Sequence, residues 1–285
     1  MAGILYLVAT PIGNLDDMTP RAAATFASAD FIAAEDTRVT LKLLNHLGLK
    51  KPMVSYYEHN LKERGERILA RIEAGETCAL CSDAGMPGVS DPGLRLVAAA
   101  REAGVVVEVL PGASAAACAY VASGTVCPRF YFGGFFPRKA TEQRTVLAEL
   151  SGLDAALVFY ESPNRLVAAL SVIAEVLPWR EVAVCRELTK LHEEVARGSA
   201  AELRERFAAR AEEPGGVRGE IALVIDAPGE TEAAAGAEEA AASAAERAVE
   251  LVAEGLRTKE VTKHLVAEFG ISRNDAYNLA MEAAR

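Results

Sequence analysis

Residues 4–15 have the sequence ILYLVATPIGNL, an apolar strand pattern followed directly by a loop. Aliphatic and β-branched side chains fill most of residues 4–10, and Pro11 ends the pattern. Gly13 then lies near the carboxyl end of the predicted strand, where open α/β sheets bind ligands and glycine permits close approach to the backbone. The loop has neither a G-x-G-x-x-G nor a Walker A sequence, so it does not favour a dinucleotide or NTP site. We predict an α/β sheet with a ligand loop at Gly13; a plain turn is the alternative.

Strand and helix patterns alternate over residues 1–226, as they do in layered α/β proteins. Apolar runs predict strands at 4–10, 31–34, 77–82, 105–109, 130–133, 156–160, 181–186 and 220–225. Periodicity and capping residues predict helices over 38–47, 61–74, 92–103, 142–150, 163–177 and from Ser199 to 212, with another start at Thr19-Pro20. In this scheme Pro92 and Pro163 each occupy the first position of a helix. The pattern predicts two α/β domains, residues 1–112 and 113–226.

Two further loops with glycine follow predicted strands. Residues 82–93 have the sequence SDAGMPGVSDPG, and residues 110–114 have the sequence LPGAS. We expect Asp91 to cap the next helix, whereas Asp83 has no such local role and can accept hydrogen bonds from a ligand. Because the carboxyl ends of parallel strands meet at one sheet edge, the three loops predict a ligand cleft there.

The last 59 residues differ in composition from the rest of the chain. Residues 227–246 contain ten Ala and five Glu with no aromatic side chain, which predicts a tether, partly helical, without a core of its own. Residues 247–285 then show three short helical patterns, Arg247–Glu254, Lys259–Phe269 and Arg273–Ala284. We predict an acidic linker over 227–246 and a small trihelical appendage over 247–285.

The composition excludes several classes of protein. The 285 residues are 51% hydrophobic and 25% charged, which is typical of a globular chain and not of a disordered or collagen-like one. The formal net charge of −10 includes six carboxylates and no Lys or Arg over residues 226–246, so an RNA substrate remains possible. The five scattered Cys suit reduced thiols, and neither a signal peptide nor a membrane span is evident. We expect a cytoplasmic protein that does not associate with membranes.

Metal and hydrolase patterns have little support in the sequence. Cys78 and Cys81 have the spacing of a metal pair, but they lie in an apolar strand pattern and no second pair follows at a usable distance. The four His form no H-E-x-x-H pattern, and no Ser lies in G-x-S-x-G. We predict no metal site.

Seven motifs occur in an order that resembles one enzyme family. They are Thr10–Leu15, Ala34–Arg38, Ser82–Gly85 with Asp91–Gly93, Leu110–Gly112, Phe159–Ser162, Arg186–Lys190 and Gly219-Glu220. This series is similar to that of the tetrapyrrole-methylase-fold (class III) S-adenosylmethionine methyltransferases over residues 4–225, and more weakly over the tail. Within the family it most resembles the branch that methylates a cytidine ribose 2′-hydroxyl in the decoding centre of 16S rRNA. Ala113 and Met86 depart from the pattern, where Pro and Thr are common.

The resemblance implies a fold, a cofactor and partners. It implies two α/β domains of the tetrapyrrole methylase type with S-adenosylmethionine in the cleft between them, a homodimer, and 16S rRNA in the 30S subunit as substrate. The residues to which it assigns the cofactor are Pro11, Ile12, Gly13, Asp83, Ala84, Gly85, Pro87, Gly112, Ser114, Glu161, Ser162, Leu188 and Glu220.

Methyl transfer from a sulfonium requires in-line positioning of the acceptor oxygen and removal of its proton. The candidate proton acceptors are Asp36, Glu35, Glu187 and Lys190. We favour Asp36 and Glu187 because each follows a predicted strand, one in each domain. Lys190 would serve if burial left it neutral. Ion pairs that brace the cleft are the alternative interpretation of all these charges.

Aromatic and basic side chains mark candidate RNA contacts. Residues 131–139 have the sequence YFGGFFPRK, in which we expect Tyr131 and Phe132 to belong to a strand and its core. Stacking combined with positive charge is how unpaired nucleotides are held. The residues predicted to contact RNA are Arg38, Phe135, Phe136, Arg138, Lys139, Arg186, Arg257, Lys259, Lys263 and Arg273.

Two other functions remain open at this point. A small-molecule methylase acting on a tetrapyrrole would have the same fold, but it would need neither the basic aromatic loop nor the tail. A non-catalytic rRNA-binding assembly factor would tolerate loss of the cofactor loops, which are present here.

Overall fold

The computed structural model describes residues 3–91 and 93–284, so the predicted role of Pro92 lies outside the described residues. The first domain contains a five-stranded sheet in the order β3-β2-β4-β1-β5, and every neighbouring pair is parallel. Its strands are β1 Ile4–Val8, β2 Phe31–Ala34, β3 Met53–Ser55, β4 Cys78–Cys81 and β5 Val106–Leu110. A parallel arrangement brings the carboxyl ends of β1, β2, β4 and β5 to one edge.

Helices cover both faces of this sheet. They are α1 Pro20–Ser28, α2 Thr37–His46, α3 Leu61–Glu73 and α4 Gly93–Glu102. Successive side chains of β2 show the two faces, because Phe31 packs with α3 and α4 while Ile32 packs with α1 and α2. Burial on both faces explains why β2 and β4 are entirely apolar or Cys, without polar alternation.

The second domain contains a mixed five-stranded sheet in the order β6-β7-β10-β8-β9. Only the β6–β7 pair is parallel, and the other three pairs are antiparallel. The strands are β6 Phe130–Phe135, β7 Ala156–Glu161, β8 Glu181–Arg186, β9 Glu194–Ser199 and β10 Ile221–Ile225. The helices are α5 Ala115–Ala122, α6 Ala140–Leu150, α7 Leu166–Val176 and α8 Ala200–Glu212. The predicted α/β class with two sheets is confirmed.

Three elements lacked a sequence prediction. The edge strands β3 and β9 are short or strongly polar, and α5 has the sequence AAACAYVA, in which no face is more apolar than another. One predicted start is wrong, since α7 begins at Leu166 and not at Pro163. Residues 163–165 form a turn, and Arg165 occupies the N-cap position of α7.

The C-terminal segment contains three helices within the described residues, α9 Glu230–Ala253, α10 Thr258–Phe269 and α11 Arg273–Ala283. Its core includes Ala244, Ala248, Leu251, Val261 and Leu265. The structure thus differs from the predicted linker, because one helix continues through residue 246 and Ala244 is buried. Alanine has the highest helix propensity and lets helices approach closely, which accounts for both differences. Ser272 caps α11, and its hydroxyl accepts from the Asp275 N–H at 3.1 Å.

The chain divides into two compact units. One comprises Met1–Leu150 and Asp154–Ala227, and the other comprises Ser151–Leu153 and Pro228–Arg285. Both sheets belong to the first unit, in which Ile12 packs with Ala116 and Leu188 against the second sheet. Among the described residues, no helix combines the length and the apolarity needed to cross a bilayer.

Candidate active site

Hydrogen bonds join the loops that follow β1 and β4. The Thr10 N–H donates to the Gly85 carbonyl at 2.9 Å, and the Gly85 N–H donates back to the Thr10 carbonyl at 3.0 Å. The Thr10 hydroxyl also donates to the Ser82 carbonyl at 3.2 Å. Gly85 has a φ of +81°, a conformation that side chains rarely adopt. This bridge fixes the loop that carries Asp83 against the end of β1.

A second pair of bonds joins the loops that follow β2 and β4. The Asp36 N–H donates to Asp83 Oδ1 at 2.9 Å, and the Asp83 N–H donates to Glu35 Oε2 at 3.4 Å. Asp83 therefore holds the loop after β2 through contacts distant in sequence, and it has no local capping role, as predicted. Asp91 has the role that the sequence predicts, since its Oδ1 accepts from the Gly93 N–H at 2.8 Å, at the start of α4.

The first loop reaches the second domain at Gly13. A Cβ on Gly13 would lie 2.5 Å from Lys190 Cγ and 2.8 Å from Thr189 Oγ1. Only glycine fits this approach, so Gly13 is required for packing between the two loops. Gly112 has a similar role within its own domain, because a Cβ there would lie 2.5 Å from Ala9 Cβ.

Glu187, Lys190 and Glu220 form a compact ion cluster at the ends of β8 and β10. Lys190 Nζ donates to Glu187 Oε1 at 2.7 Å and to Glu220 Oε2 at 3.1 Å. Glu187 has a φ of +53°, and the Glu220 N–H donates to its carboxylate at 3.0 Å. Gly219, with a φ of +96°, passes so close that a Cβ would lie 2.4 Å from Glu187 Cδ. Strained backbone of this kind is typical of functional sites.

Neighbouring charges and hydrogen bonds shift the pKa values of the candidate bases in different directions. Hydrogen bonds from the Arg38 side chain and backbone lower the pKa of Asp36 to about 2. The hydrogen bond from Lys190 lowers the pKa of Glu187. Burial lowers the pKa of Lys190, but the hydrogen bonds to Glu187 and Glu220 outweigh burial, so that the pKa is raised overall. A lowered pKa makes a weak base, and a charged Lys190 is not a proton acceptor.

Glu35 has the opposite character. Burial raises the pKa of Glu35, and the carboxylates of Asp83 and Asp91 raise it further, against a lowering by the Asp83 backbone hydrogen bond. Burial likewise raises the pKa of Asp83. Among the described residues, neither carboxylate has an ion-pair partner. Glu35 is therefore the one candidate carboxylate whose pKa is raised, and the motif alone did not distinguish it from Asp36.

A cavity of about 450 Å³ lies between the two sheets of the first unit. This volume suits a ligand of nucleoside size. The lining includes residues of both domains, and those predicted to bind the cofactor are Ile12, Asp83, Ala84, Gly85, Ser114, Glu161, Ser162, Leu188 and Glu220. The lining also includes side chains that the sequence did not identify for this role, among them Glu35, Met86, Ser90, Phe135 and Tyr160.

Four of the predicted cofactor residues do not line this cavity. They are Pro11, Gly13, Pro87 and Gly112. For Gly13 and Gly112 the physical reason is that each glycine accommodates another loop or strand, as described above. At both positions the close neighbours of an added Cβ are protein atoms, and the predicted cofactor contacts of Gly13 and Gly112 stay predictions.

Glu161 is the most buried acid in the cavity wall. Its side chain is fully buried, and Oε1 accepts from the Ser162 N–H at 2.6 Å and from Arg165 Nε at 2.7 Å. Oε2 has no hydrogen-bond partner among the described residues. A buried carboxylate oxygen without a donor is costly, so the geometry fits a ligand that brings a donor or a positive charge.

The predicted RNA contacts divide into exposed and buried side chains. Phe135 is 65% exposed, lines the cavity and packs edge-on against Tyr160 at 5.5 Å between ring centroids. Phe136, only 1% exposed, packs on Phe159 in the core, so its prediction as an exposed contact is wrong. Gly133 and Gly134 lie where the register of β6 against β7 shifts, and the adjacent rings of Phe135 and Phe136 point to opposite sides, as successive side chains of extended backbone do. Tyr131, expected in the core, is instead 41% exposed.

Arg186 also lies in the interior. Its guanidinium donates to Glu194 Oε2 at 3.0 Å and to the carbonyls of Arg218 and His192 at 3.2 Å each. The prediction that Arg186 holds phosphate is therefore wrong, because its donors are occupied within the domain. The other cations predicted to contact RNA are exposed, and they are Arg38, Arg138 and Lys139 in the first unit and Arg257, Lys259, Lys263 and Arg273 in the second.

Comparison with known proteins agrees with this architecture. The family model of Tetrapyrrole (Corrin/Porphyrin) Methylases matches residues 4–204. The chain is 43% identical to the ribosomal RNA small subunit methyltransferase I of Halalkalibacterium halodurans, covering 97% of this chain and 94% of the relative. It is 41% identical to the protein of that name from Synechocystis sp., covering 98% of each. The crystal structure of a diphthine synthase has the same fold, with a TM-score of 0.61, 16% identity, and coverage of 79% of this chain and 90% of that one.

The chain belongs to the tetrapyrrole methylase family, and within it to the group of ribosomal RNA small subunit methyltransferase I proteins. It is a methyltransferase, and S-adenosylmethionine is its methyl donor. The cavity fits that donor, since it has a suitable volume and an unpartnered buried carboxylate oxygen.

Proposed function

We propose that this protein methylates the 2′-hydroxyl of a cytidine ribose in the decoding centre of 16S rRNA, on the assembled 30S subunit in the cytoplasm. The observation that carries the proposal is the cavity between the sheets, which combines a buried acceptor for the methyl donor with an exposed aromatic ring at its wall. The names of the relatives support small-subunit rRNA as the substrate.

The cavity residues would bind and orient the methyl donor. Bound S-adenosylmethionine supplies a methyl group on a sulfonium that is already a good leaving group. Glu161 would accept a hydrogen bond or a positive charge through Oε2, and Asp83 and Ser114 offer further polar atoms at the wall. Ile12 and Leu188 supply apolar wall that limits the access of water.

Glu35 would accept the proton of the ribose hydroxyl. Its carboxylate is half-buried, lines the cavity and has a raised pKa, which improves a general base at neutral pH. We replace the expectation for Asp36 and Glu187 with this assignment. Asp36 and Glu187 instead form ion pairs with Arg38 and Lys190.

Phe135 and the exposed cations would position the RNA. A ring that is 65% exposed at the cavity wall can stack on an unpaired base, and Arg38, Arg138 and Lys139 can contact phosphate. The cations of α10 and α11 would add contacts outside the active site. Exposed apolar side chains on β5, α5 and β6, such as Val109, Val121 and Phe130, support a homodimer.

Transfer of labelled methyl tests the proposal. The purified protein would be incubated with labelled S-adenosylmethionine and, separately, 30S subunits, free 16S rRNA and tetrapyrrole precursors. We expect label on 30S subunits above the other two. Label on a tetrapyrrole alone would reject the function, and RNA binding without any transfer would favour a non-catalytic assembly factor.

A further inference from the structure

Three arginines converge on one carboxylate at an end of the second sheet. Glu194, the first residue of β9, accepts through Oε2 from Arg186 at 3.0 Å and from Arg210 at 2.6 Å. Its Oε1 accepts from Arg206 at 2.7 Å. Burial raises the pKa of Glu194, but the hydrogen bonds from Arg210 and Arg186 outweigh burial, so that the pKa is lowered overall. One ionised carboxylate therefore faces three guanidinium groups, and the positive charge is in excess.

Arg206 and Arg210 have donors to spare. Arg186 is buried, and its guanidinium also donates to two backbone carbonyls. The side chains of Arg206 and Arg210 are 56% and 33% exposed, and among the described residues Glu194 is the ion-pair partner of both. A guanidinium has five N–H donors, so each of the two can also bind an anion from solution. The contact with Glu194 holds them in place, and guanidinium groups match the geometry of phosphate oxygens.

The charges beside this cluster do not cancel its excess. Arg218 is exposed, and in the described part of the chain its side chain forms no ion pair. The Arg218 carbonyl accepts from Arg186 at 3.2 Å, so Arg218 adds a fourth cation next to the cluster. Glu193 is an exposed carboxylate at the same place, and Lys190 with its two carboxylates adds one net negative charge. The four guanidinium groups outnumber these negative charges.

The cluster lies at the same end of the second sheet as the cavity, but on the opposite face. Cys185 of β8 lines the cavity, whereas Val184 belongs to the core that α8 covers. Because successive side chains of a strand alternate between faces, Arg186 lies on the α8 side. Arg218 directly precedes Gly219, which belongs to the cavity wall. An RNA strand with one nucleotide in the cavity can therefore reach the cluster with its neighbouring nucleotides.

We propose that Arg206, Arg210 and Arg218 form a docking surface for the phosphates of the RNA that flanks the methylated nucleotide. Contacts to phosphate fix the orientation of a nucleic acid without reading its sequence. The surface thus orients the rRNA, while the cavity holds the reacting ribose. The inference rests on the proposed function. It adds to that function a surface of α8 and of the loop before β10, which the sequence motifs did not indicate.

Filter binding to 30S subunits over a series of salt concentrations tests the inference. The variant is Arg206→Gln/Arg218→Gln, which removes two exposed charges and keeps the contacts of Glu194 with Arg186 and Arg210. Its affinity at about 0.1 M salt should fall about tenfold, and the dependence of log affinity on log salt should become shallower by about one to two. Its affinity for S-adenosylmethionine should equal that of the parent, because neither residue lines the cavity.

Arg204→Gln is the matched control, because Arg204 lies on the same helix, is 40% exposed and pairs with Glu205. It should bind 30S subunits as the parent does. Arg218→Gln alone breaks no ion pair among the described residues and should lose about threefold in affinity, so it tests the surface even where the double variant is less stable.

Equal 30S affinity of the double variant and Arg204→Gln would overturn the inference and limit the cluster to bracing α8 against β9. A loss on 30S subunits with unchanged affinity for protein-free 16S rRNA would also overturn it, because the surface would then contact a ribosomal protein. Absence of methyl transfer to 30S subunits by the parent protein would instead reject the proposed function.

Discussion

Single residues at this site have unequal tolerance to change, and Gly13 is the clearest case. A Cβ at Gly13 would lie within 3 Å of Lys190 and Thr189, whereas a Cβ at Gly152 would meet nothing within 4 Å. Gly13→Ala should lower the free energy of unfolding by about 1–3 kcal/mol, the usual cost of overpacking. Gly152→Ala serves as the control and should change stability by less than about 0.5 kcal/mol. Chemical denaturation of both variants measures the difference; equal stability would show that the loops separate freely.

We expect Glu35 to determine how the rate of methyl transfer depends on pH. A general base works in its ionised form, so the single-turnover rate should fall as the pH drops through the raised pKa of Glu35, above the ordinary range for Glu. Glu35→Gln should lose about 100- to 10,000-fold in rate and the acid limb of the profile. Asp36→Asn and Glu187→Gln are the comparison variants and should keep that limb. A parental rate in Glu35→Gln would exclude Glu35 as the base.

Phe135 and Phe136 are adjacent in sequence at the end of β6, but Phe135 lies at the surface and Phe136 lies in the core. Phe136→Ala removes a buried ring and should cost about 3–5 kcal/mol of stability. Phe135→Ala removes an exposed ring and should leave stability nearly unchanged while weakening binding of the 30S subunit. Thermal unfolding and filter binding of both variants test this division. If Phe135→Ala bound the 30S subunit as tightly as the parent protein does, Phe135 would not contribute to the RNA contact.

The elements also show what the sequence could predict and what it could not. β2 and β4 were predictable because burial on both faces leaves short uninterrupted apolar runs. β9 was not predictable from its sequence, EVARGS, which is strongly polar. This strand lies at a sheet edge, where pairing with β8 and the ion pair between Arg186 and Glu194 stabilise it. The motifs identified the loops of the site, but they did not show which of Phe135 and Phe136 is buried, because the register of β6 shifts between Phe132 and Phe135.

The same limit applies to the candidate base. Glu35 and Asp36 are adjacent in one motif, and only the folded chain gives Asp36 the task of capping α2 and pairing with Arg38. Burial and the identity of the charged neighbours determine basicity, and both come from contacts distant in sequence. Gly13 and Gly112 were correctly identified as special positions, but their neighbours are protein atoms and not the cavity.

We expect the two compact units to have separate functions, with the first binding the cofactor and the second contributing to binding of the 30S subunit. The cavity is built entirely from the first unit, so a chain ending near residue 228 should retain its affinity for S-adenosylmethionine. Its activity on 30S subunits should fall, because the exposed cations of the second unit are lost. The matched full-length protein is the double variant Lys259→Glu/Lys263→Glu, whose two positions lie one turn apart on α10. It should bind the 30S subunit more weakly, and its affinity should depend less on the salt concentration. Full activity of both proteins would limit the second unit to a structural role.

Analysis of modified nucleosides shows whether this protein methylates a cytidine ribose of 16S rRNA. 30S subunits that lack the modification would be incubated with the protein and S-adenosylmethionine, and the 16S rRNA would be digested to nucleosides and examined by mass spectrometry. We expect one new product, 2′-O-methylcytidine, whose formation depends on Glu35. A methyl group on a base, on a nucleoside other than cytidine, or on no nucleoside at all would contradict it.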